Sequence, residues 1–397
     1  MSFRSWLWRS AASKTQTPFR PVVEALEART LLSGAATPYL PPALARPISG
    51  TSAFISPIAR SFEHDAVVVV HPGESIQAAV DAAKPGTEIL LEAGTYFQSV
   101  VVSTPGITIA GLVDSNGNGV VIQNPGGAND GVTATQLASG FTLANLAVRG
   151  FGENGVLLEG VTGFVLSQVT AQDDGEYGLF PVFSSFGLID GCIASGHRDT
   201  GIYVGQSAFV TVSYDRAFDN VNGIEIENSS HVAVLGNETF GNTAGILSDL
   251  LPGLNVTTSS HILVAGNYVH DNNRPNDGDP GSIESFVPVG TGILVLGADH
   301  VTVANNRVTG NDFVGIGVAS SLLLGQLAGL PPSDFAGIEP NPEGTHVFFN
   351  YVVGNGSASP LPGIPGADLL WDGSGAGNLW IGNVFETSVP GSLPGGG

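Results

Sequence analysis

Glu225 and Glu227 stand two apart in the segment NGIEIE, and Asp249 follows Glu227 by 22 residues in AGILSD. Asp199 lies in the preceding segment, DTGIYVGQS, where Tyr203 comes 22 residues before Glu225. Carboxylates held in pairs suit two kinds of chemistry: acid–base or nucleophilic work on a glycosidic bond, and the seating of a divalent cation. Crowding like charges raises their pKa values, as a general acid at neutral pH requires. Tyr177, Phe180 and Tyr203 offer aromatic faces for a sugar ring, and Gln206 adds an amide donor and acceptor. All of this depends on the chain placing segments 22–23 residues apart directly over one another.

A column of glycines says that it does. Gly155, Gly178, Gly201, Gly223, Gly245, Gly292 and Gly315 are separated by 23, 23, 22, 22, 47 and 23 residues, each followed by a short apolar alternation. A constant step with a strand-like core is the signature of a solenoid. The step predicts an all-β, right-handed parallel β-helix of about ten coils, roughly 48 Å long at the spacing of parallel strands. Side chains alternate along a strand. Ile202/Val204, Ile224/Ile226 and Ile293/Val295 therefore face inward. Tyr203, Glu225, Glu227 and Asp249 face outward, on an exposed sheet with an acidic centre and apolar flanks. A second pattern pairs asparagines five apart, at 237/242, 267/272, 306/311 and 350/355. One asparagine per coil is expected to stack at a turn and to take its left-handed conformation.

The β-helix is expected over 61–388, with an amphipathic helix at 75–84 capping its open end. Ser75 serves as N-cap, and Pro85-Gly86 is the stop. Three stretches break the period, at 249–260, 272–290 and 320–344, and loops on a rigid solenoid are where function gathers. Residues 35–60 read as a linker and 389–397 as a disordered tail.

Charge is uneven. Residues 1–60 hold seven basic and two acidic residues, and the rest hold six basic and 33 acidic. Such a body repels nucleic acid, anionic lipid and free polyuronates and attracts cations. No apolar run is long enough to span a membrane. Cys192 is the sole cysteine, which excludes an internal disulfide framework and suits a small core residue. Asp114, Asn116 and Asn118 match the start of a calcium loop. Its twelfth position, however, is Pro125 where a bidentate glutamate belongs. Calcium is thus a possible ligand, and no other cofactor is signalled.

Several resemblances add expectations. Leu26-Glu27-Ala28-Arg29-Thr30-Leu31-Leu32 resembles the Leu-Glu-Pro-Arg-x-Leu-Leu motif near the N-terminus of certain bacterial surface proteins, with Ala28 in place of proline. It implies export to the periplasm, the cell surface or beyond, with residues 1–60 acting as leader and linker. The order IQAAVDAAKPGTEILLEAGTY resembles the entry into the pectate-lyase-like superfamily. Asp173-Asp174 and Gly196-His197 resemble elements of polygalacturonase-type glycosidases, although the companion Asn-Thr-Asp and Arg-x-Lys motifs are missing. Residues 175–311 resemble a family of exported bacterial proteins with tandem parallel β-helix repeats. Its marks here include EYGLFPV, DTGIYVGQS, NGIEIENS and HDNNRPN, and the chain departs from it at Ser248. The missing motifs favour a protein that binds polysaccharide or another exported protein along the acidic, aromatic face. A polysaccharide hydrolase or lyase using that face is the alternative, and a periplasmic metal-maturation protein a second one.

Overall fold

The computed structural model describes residues 66–396. The leader and linker expected over 1–60, and the surface-protein motif within them, lie outside the described residues.

The chain is a right-handed parallel β-helix. Eleven strands, from Val100–Val102 to Ser388–Val389, stack into one parallel sheet. The other two faces merge into a 21-stranded sheet, because the strands Thr142–Arg149 and Val165–Gln172 each run continuously round a corner. The register is that of the repeat: Leu179, Ile202, Ile224, Ile246, Ile293 and Ile316 pair in sequence, one per coil, and all are buried. A strand with a core on one side and parallel partners on both edges needs this kind of β-branched row.

The glycine column answers to close approach. A Cβ on Gly201 would lie 2.7 Å from Asn220 Nδ2 and 2.9 Å from the Gly223 carbonyl oxygen. The next coil's backbone and an asparagine fill that space, and only glycine fits. The asparagines themselves differ from expectation. They form two buried ladders, and the left-handed corners fall one residue earlier, at Gly236, Gly241, Gly266, Asp271, Asn305, Gly310 and Phe349. In one ladder the Asn220 N–H donates to Asn242 Oδ1 at 3.0 Å, and Asn242 Nδ2 donates to the Ala217 carbonyl at 2.9 Å. The same bonds continue through Asn272, Asn311 and Asn355 to Asp368. The second ladder runs from Asp215 through Asn237, Asn267, Asn306 and Asn350 to Asn383.

The capping helix is Ile76–Ala82, shorter than expected, with Ser75 Oγ accepting the Ala78 N–H at 3.1 Å. The C-terminal segment is ordered as far as it is described. Ser388–Val389 is a strand, Leu393 is buried, and the Trp380 N–H donates to the Pro394 carbonyl at 2.8 Å.

The three insertions correct the largest expectation. They fold back over the outer face of the 11-stranded sheet, where Leu251, Ile283, Phe286, Leu296 and Leu324 pack together. The face predicted to be exposed is therefore covered, and the strands Thr200–Gly205, Asn222–Glu227 and Ala244–Asp249 are buried at every position.

Candidate functional site

The predicted carboxylates do meet, on the outer side of the 11-stranded sheet as their register requires. Tyr203 pairs with Glu225, Gly205 with Glu227, and Glu227 with Asp249 on the next coil. The insertion at 272–290 brings in a fifth carboxylate, Glu284, at the start of the short turn Glu284–Phe286. Glu225 and Glu227 are each 5% exposed, Asp249 1%, Asp199 8% and Glu284 8%. Asp199, Glu225, Glu227 and Glu284 line a cleft of about 430 Å3, together with Tyr177, Phe180 and Tyr203, and Asp249 sits behind them.

The hydrogen bonds carry information about protons. Thr200 Oγ1 lies 2.9 Å from Asp199 Oδ1 and 2.5 Å from Glu225 Oε2, and Asn222 Nδ2 donates to it at 3.3 Å. One hydroxyl proton cannot serve two carboxylates at once, so Thr200 donates to only one of them at a time. Asn222 Nδ2 also donates to Glu225 Oε2 at 3.1 Å, and the Tyr203 hydroxyl donates to Glu227 Oε2. Neither oxygen of Asp249 has a hydrogen-bond partner, and the charges of Glu225 and Glu227 act on it. The charge of Glu284 likewise acts on Asp199. Like charges brought together away from water disfavour each other's ionised form.

Burial is the main cause of the pKa shifts, because it disfavours the charged form. It pushes Glu225 up to about 7, assisted by the charge of Glu284. It pushes Glu227 up to about 8, with Glu225 as the next cause. Asp199 and Asp249 rise well above the carboxylate range by burial and then by the charges of Glu284 and Glu225, and of Glu225 and Glu227, respectively. Glu284 is raised by burial as well. Arg198 is the one cationic side chain lining the cleft, and it pairs with Asp279 at 3.2 Å.

The other predicted site residues fare differently. Tyr177, Phe180 and Tyr203 spend their faces on one another. Tyr177 stacks on Phe180 at 4.2 Å between centroids and 14° between planes, and Tyr203 packs edge-on against Phe180 at 4.8 Å. They build a wall of the cleft and leave no open stacking platform. Gln206 does not reach the cleft. Its Oε1 accepts the N–H groups of Asn255 and Val256, at 2.9 and 3.1 Å, and so fastens the first insertion.

Asp114 is the hub of its own turn. It accepts the N–H groups of Asn116 and Asn118 at 2.8 Å each and the Asn118 side-chain amide at 2.8 Å. Its hydrogen bonds to Asn118 hold its carboxyl below the usual range. The three calcium candidates are therefore accounted for as a turn. No group of three or more His, Cys, Asp or Glu side chains among the described residues is arranged to hold a metal ion.

Asp174 and His197 are core residues, 2% and 0% exposed, 3.4 Å apart. His197 Nδ1 lies 2.8 Å from Asn220 Oδ1, which makes the pair the N-terminal continuation of an asparagine ladder. Cys192 is buried, and burial raises its thiol far above the ordinary range. Glu284, Thr200 and Asn222 were not singled out from the sequence. Thr200 and Asn222 stand directly before column glycines, and that offset was the signal available. Glu284 lies in a stretch without period and carried none.

Residues 113–249 match the family described as the right handed beta helix region. Solved structures share the fold over most of their length. The A-module of the mannuronan C-5 epimerase AlgE4 from Azotobacter vinelandii superposes with a TM-score of 0.61 at 17% identity, covering 83% of this chain and 88% of that one. The AlgE6 A-module from the same organism gives 0.59 at 17% identity, covering 79% and 83%. The DFA-IIIase from Arthrobacter chlorophenolicus A6, solved with GF2, gives 0.51 at 13% identity, covering 81% and 84%. At these identities the likeness is one of fold. No curated protein matches the chain significantly.

Proposed function

We propose that this protein is a carbohydrate-active enzyme that cleaves glycosidic bonds in the acidic cleft. The observation that carries the reading is the group of buried carboxyl groups Asp199, Glu225, Glu227 and Glu284 that line one cleft, with Asp249 buried behind them. A face that only binds gains nothing from burying five carboxylates, whereas a general acid needs a carboxyl group that keeps its proton at neutral pH. Glu227, the higher of the two glutamates, is assigned as the acid, with the Tyr203 hydroxyl fixing its orientation. Glu225, whose carboxyl is raised less than that of Glu227, is assigned as the base or nucleophile. Asp249, Thr200 and Asn222 position Glu225.

The fold shared with an epimerase and a DFA-IIIase supports a carbohydrate substrate but leaves the reaction open. Cleavage by elimination from a uronate needs cationic groups to neutralise the substrate carboxylate, and Arg198, already paired, is a poor basis for that. Hydrolysis is therefore assigned. Binding without turnover was the reading the sequence favoured because catalytic motifs are missing; the aromatic trio, packed on itself, offers it no open stacking platform. Among the described residues, no His, Cys, Asp or Glu cluster offers the metal-maturation reading a seat. Export remains part of the proposal, resting on residues 26–32.

The test is incubation of the full chain with a panel of oligosaccharides, reading reducing ends and unsaturated products. Release of reducing ends that Glu227→Gln abolishes supports the reading. Unsaturated products would move it to a lyase, and neither product nor binding across the panel would reject it.

A further inference from the structure

A second cavity, of about 420 Å3, lies on the same outer face of the 11-stranded sheet, towards the C-terminal coils. Its floor is the outward row of that sheet. Leu247, Leu294, Gly317, Leu370 and Val389 pair in sequence, one per coil, and all line the cavity. The row thus holds four apolar side chains and one gap, at Gly317. The backbone does not ask for glycine there. Gly317 is not in the left-handed region, and a Cβ on it would lie 3.0 Å from Leu294 Cδ1, the free end of a side chain. The column glycine two residues earlier is different, since a Cβ on Gly315 would meet the Asp368 carbonyl oxygen at 2.6 Å. Glycine inside a strand weakens it, and what Gly317 leaves in return is room.

The rest of the lining is also apolar. The helix Ser321–Leu327 of the third insertion contributes Leu323, Leu324 and Leu327, and Leu361 and Ile364 come from the loop that follows. Asp372, which is exposed, is the one charged side chain of the lining, and its oxygens accept the N–H groups of Ser320 and Ser374 at 2.8 Å each. The Trp371 indole N–H donates to the Ser374 carbonyl at 2.8 Å. Inside the mouth no side chain is left to bond a sugar hydroxyl, so a polar group entering would give up its water for nothing. A hydrocarbon gives up no hydrogen bond and gains by leaving water.

We propose that this cavity is a binding site for the hydrocarbon tail of an uncharged amphiphile. The floor crosses five coils, about 19 Å at the spacing of parallel strands, which suits an extended chain better than a compact ring. An anionic head group is disfavoured. Asp372 stands at the mouth, and residues 61–397 hold 33 acidic residues against six basic ones. The site is distinct from the acidic cleft, which it adjoins where Glu284 lines the cleft and Val287 the cavity. It goes beyond the glycosidic-bond-cleaving reading and needs no reaction in that cleft.

Isothermal titration of the full chain, below the micelle point of each probe, compares hexyl, octyl, decyl, dodecyl and tetradecyl maltoside with decanol and decanoate. Affinity should rise about fourfold for each CH2 buried and level off once the cavity is full. Decanoate should bind about tenfold more weakly than decanol at low salt. Decyl maltoside binding tighter than decanol supports a glycoside as the source of the tail, and equal binding supports a tail recognised alone, as from a neutral lipid. Gly317→Leu fills the gap and should weaken decyl maltoside about tenfold or more, with the melting temperature unchanged or raised. Should that variant melt early, the length series on the wild type decides by itself. Affinity that climbs with length without levelling means adsorption to the surface and overturns the site. Absence of binding by every alkyl probe overturns it too, as does unchanged affinity in a folded Gly317→Leu. Equal binding of decanoate and decanol overturns the charge selection.

Discussion

Glu227→Gln should stabilise the protein, and the gain should grow with pH. Glu227 is 5% exposed, and burial and Glu225 raise its carboxyl from 4.5 to about 8. A carboxyl group that holds its proton longer in the folded state makes the unfolded state the one that ionises first. Its contribution to stability is intact below pH about 4.5 and is lost as pH rises towards 8. Each pH unit in that window costs about 1.4 kcal/mol, so at pH 7 the loss is about 3 kcal/mol. Glutamine keeps the shape and still accepts the Tyr203 hydroxyl but cannot ionise. Urea unfolding followed by tryptophan fluorescence at pH 4.5, 6, 7 and 8 checks the claim. The two proteins should have similar stability at the lowest pH and should diverge by about 3 kcal/mol at pH 7. Parallel pH profiles for both would refute the reasoning, because they would mean that Glu227 titrates normally and is not desolvated.

Asp215 occupies an asparagine position in the second ladder, and its Oδ2 has no partner. Asp215→Asn supplies an amide like the one with which Asn237 itself donates to the Val212 carbonyl and should add about 1–3 kcal/mol above neutral pH, read from denaturant midpoints. Ile224→Asp places an unpaired charge in the core and should cost about 3 kcal/mol or more; a melting temperature unchanged by it would put the strand register one residue off. Gln206→Ala removes the acceptor for the Asn255 and Val256 N–H groups and should expose 251–260 to limited proteolysis, with little change in circular dichroism.

The coil architecture was legible because the repeat acts on every coil at once. A glycine that a neighbouring carbonyl excludes from bearing a Cβ, and an isoleucine row that must stack, recur at 22–23 residues and cannot be mistaken for a helix period. The same register placed Glu225, Glu227 and Asp249 on the side away from the core, and their convergence followed. Their environment did not follow. Periodicity says where a coil goes but nothing about where an aperiodic insertion folds, so nothing in the sequence shows that the insertion carrying Glu284 covers the face. Gln206 looked like a ligand contact for the same reason, since its partners Asn255 and Val256 belong to an insertion. The Asp174–His197 pair misled in the opposite direction. Its residue types suit glycosidase chemistry, but its position five residues after Cys192 is that of a ladder asparagine. Alternation also allotted the aromatics to the outer face correctly, without revealing that Tyr177, Phe180 and Tyr203 would pack on each other.

The measurement closest to the central claim is the pH profile of oligosaccharide cleavage by the wild type, Glu225→Gln and Glu227→Gln, followed as reducing ends released. The account predicts a bell-shaped profile for the wild type, with limbs near the values of the two glutamates, about 7 and about 8. Each single variant should lose about 100-fold or more in kcat with little change in KM, since proton transfer acts on the transition state. Full turnover by both variants, with the wild-type profile intact, would contradict it.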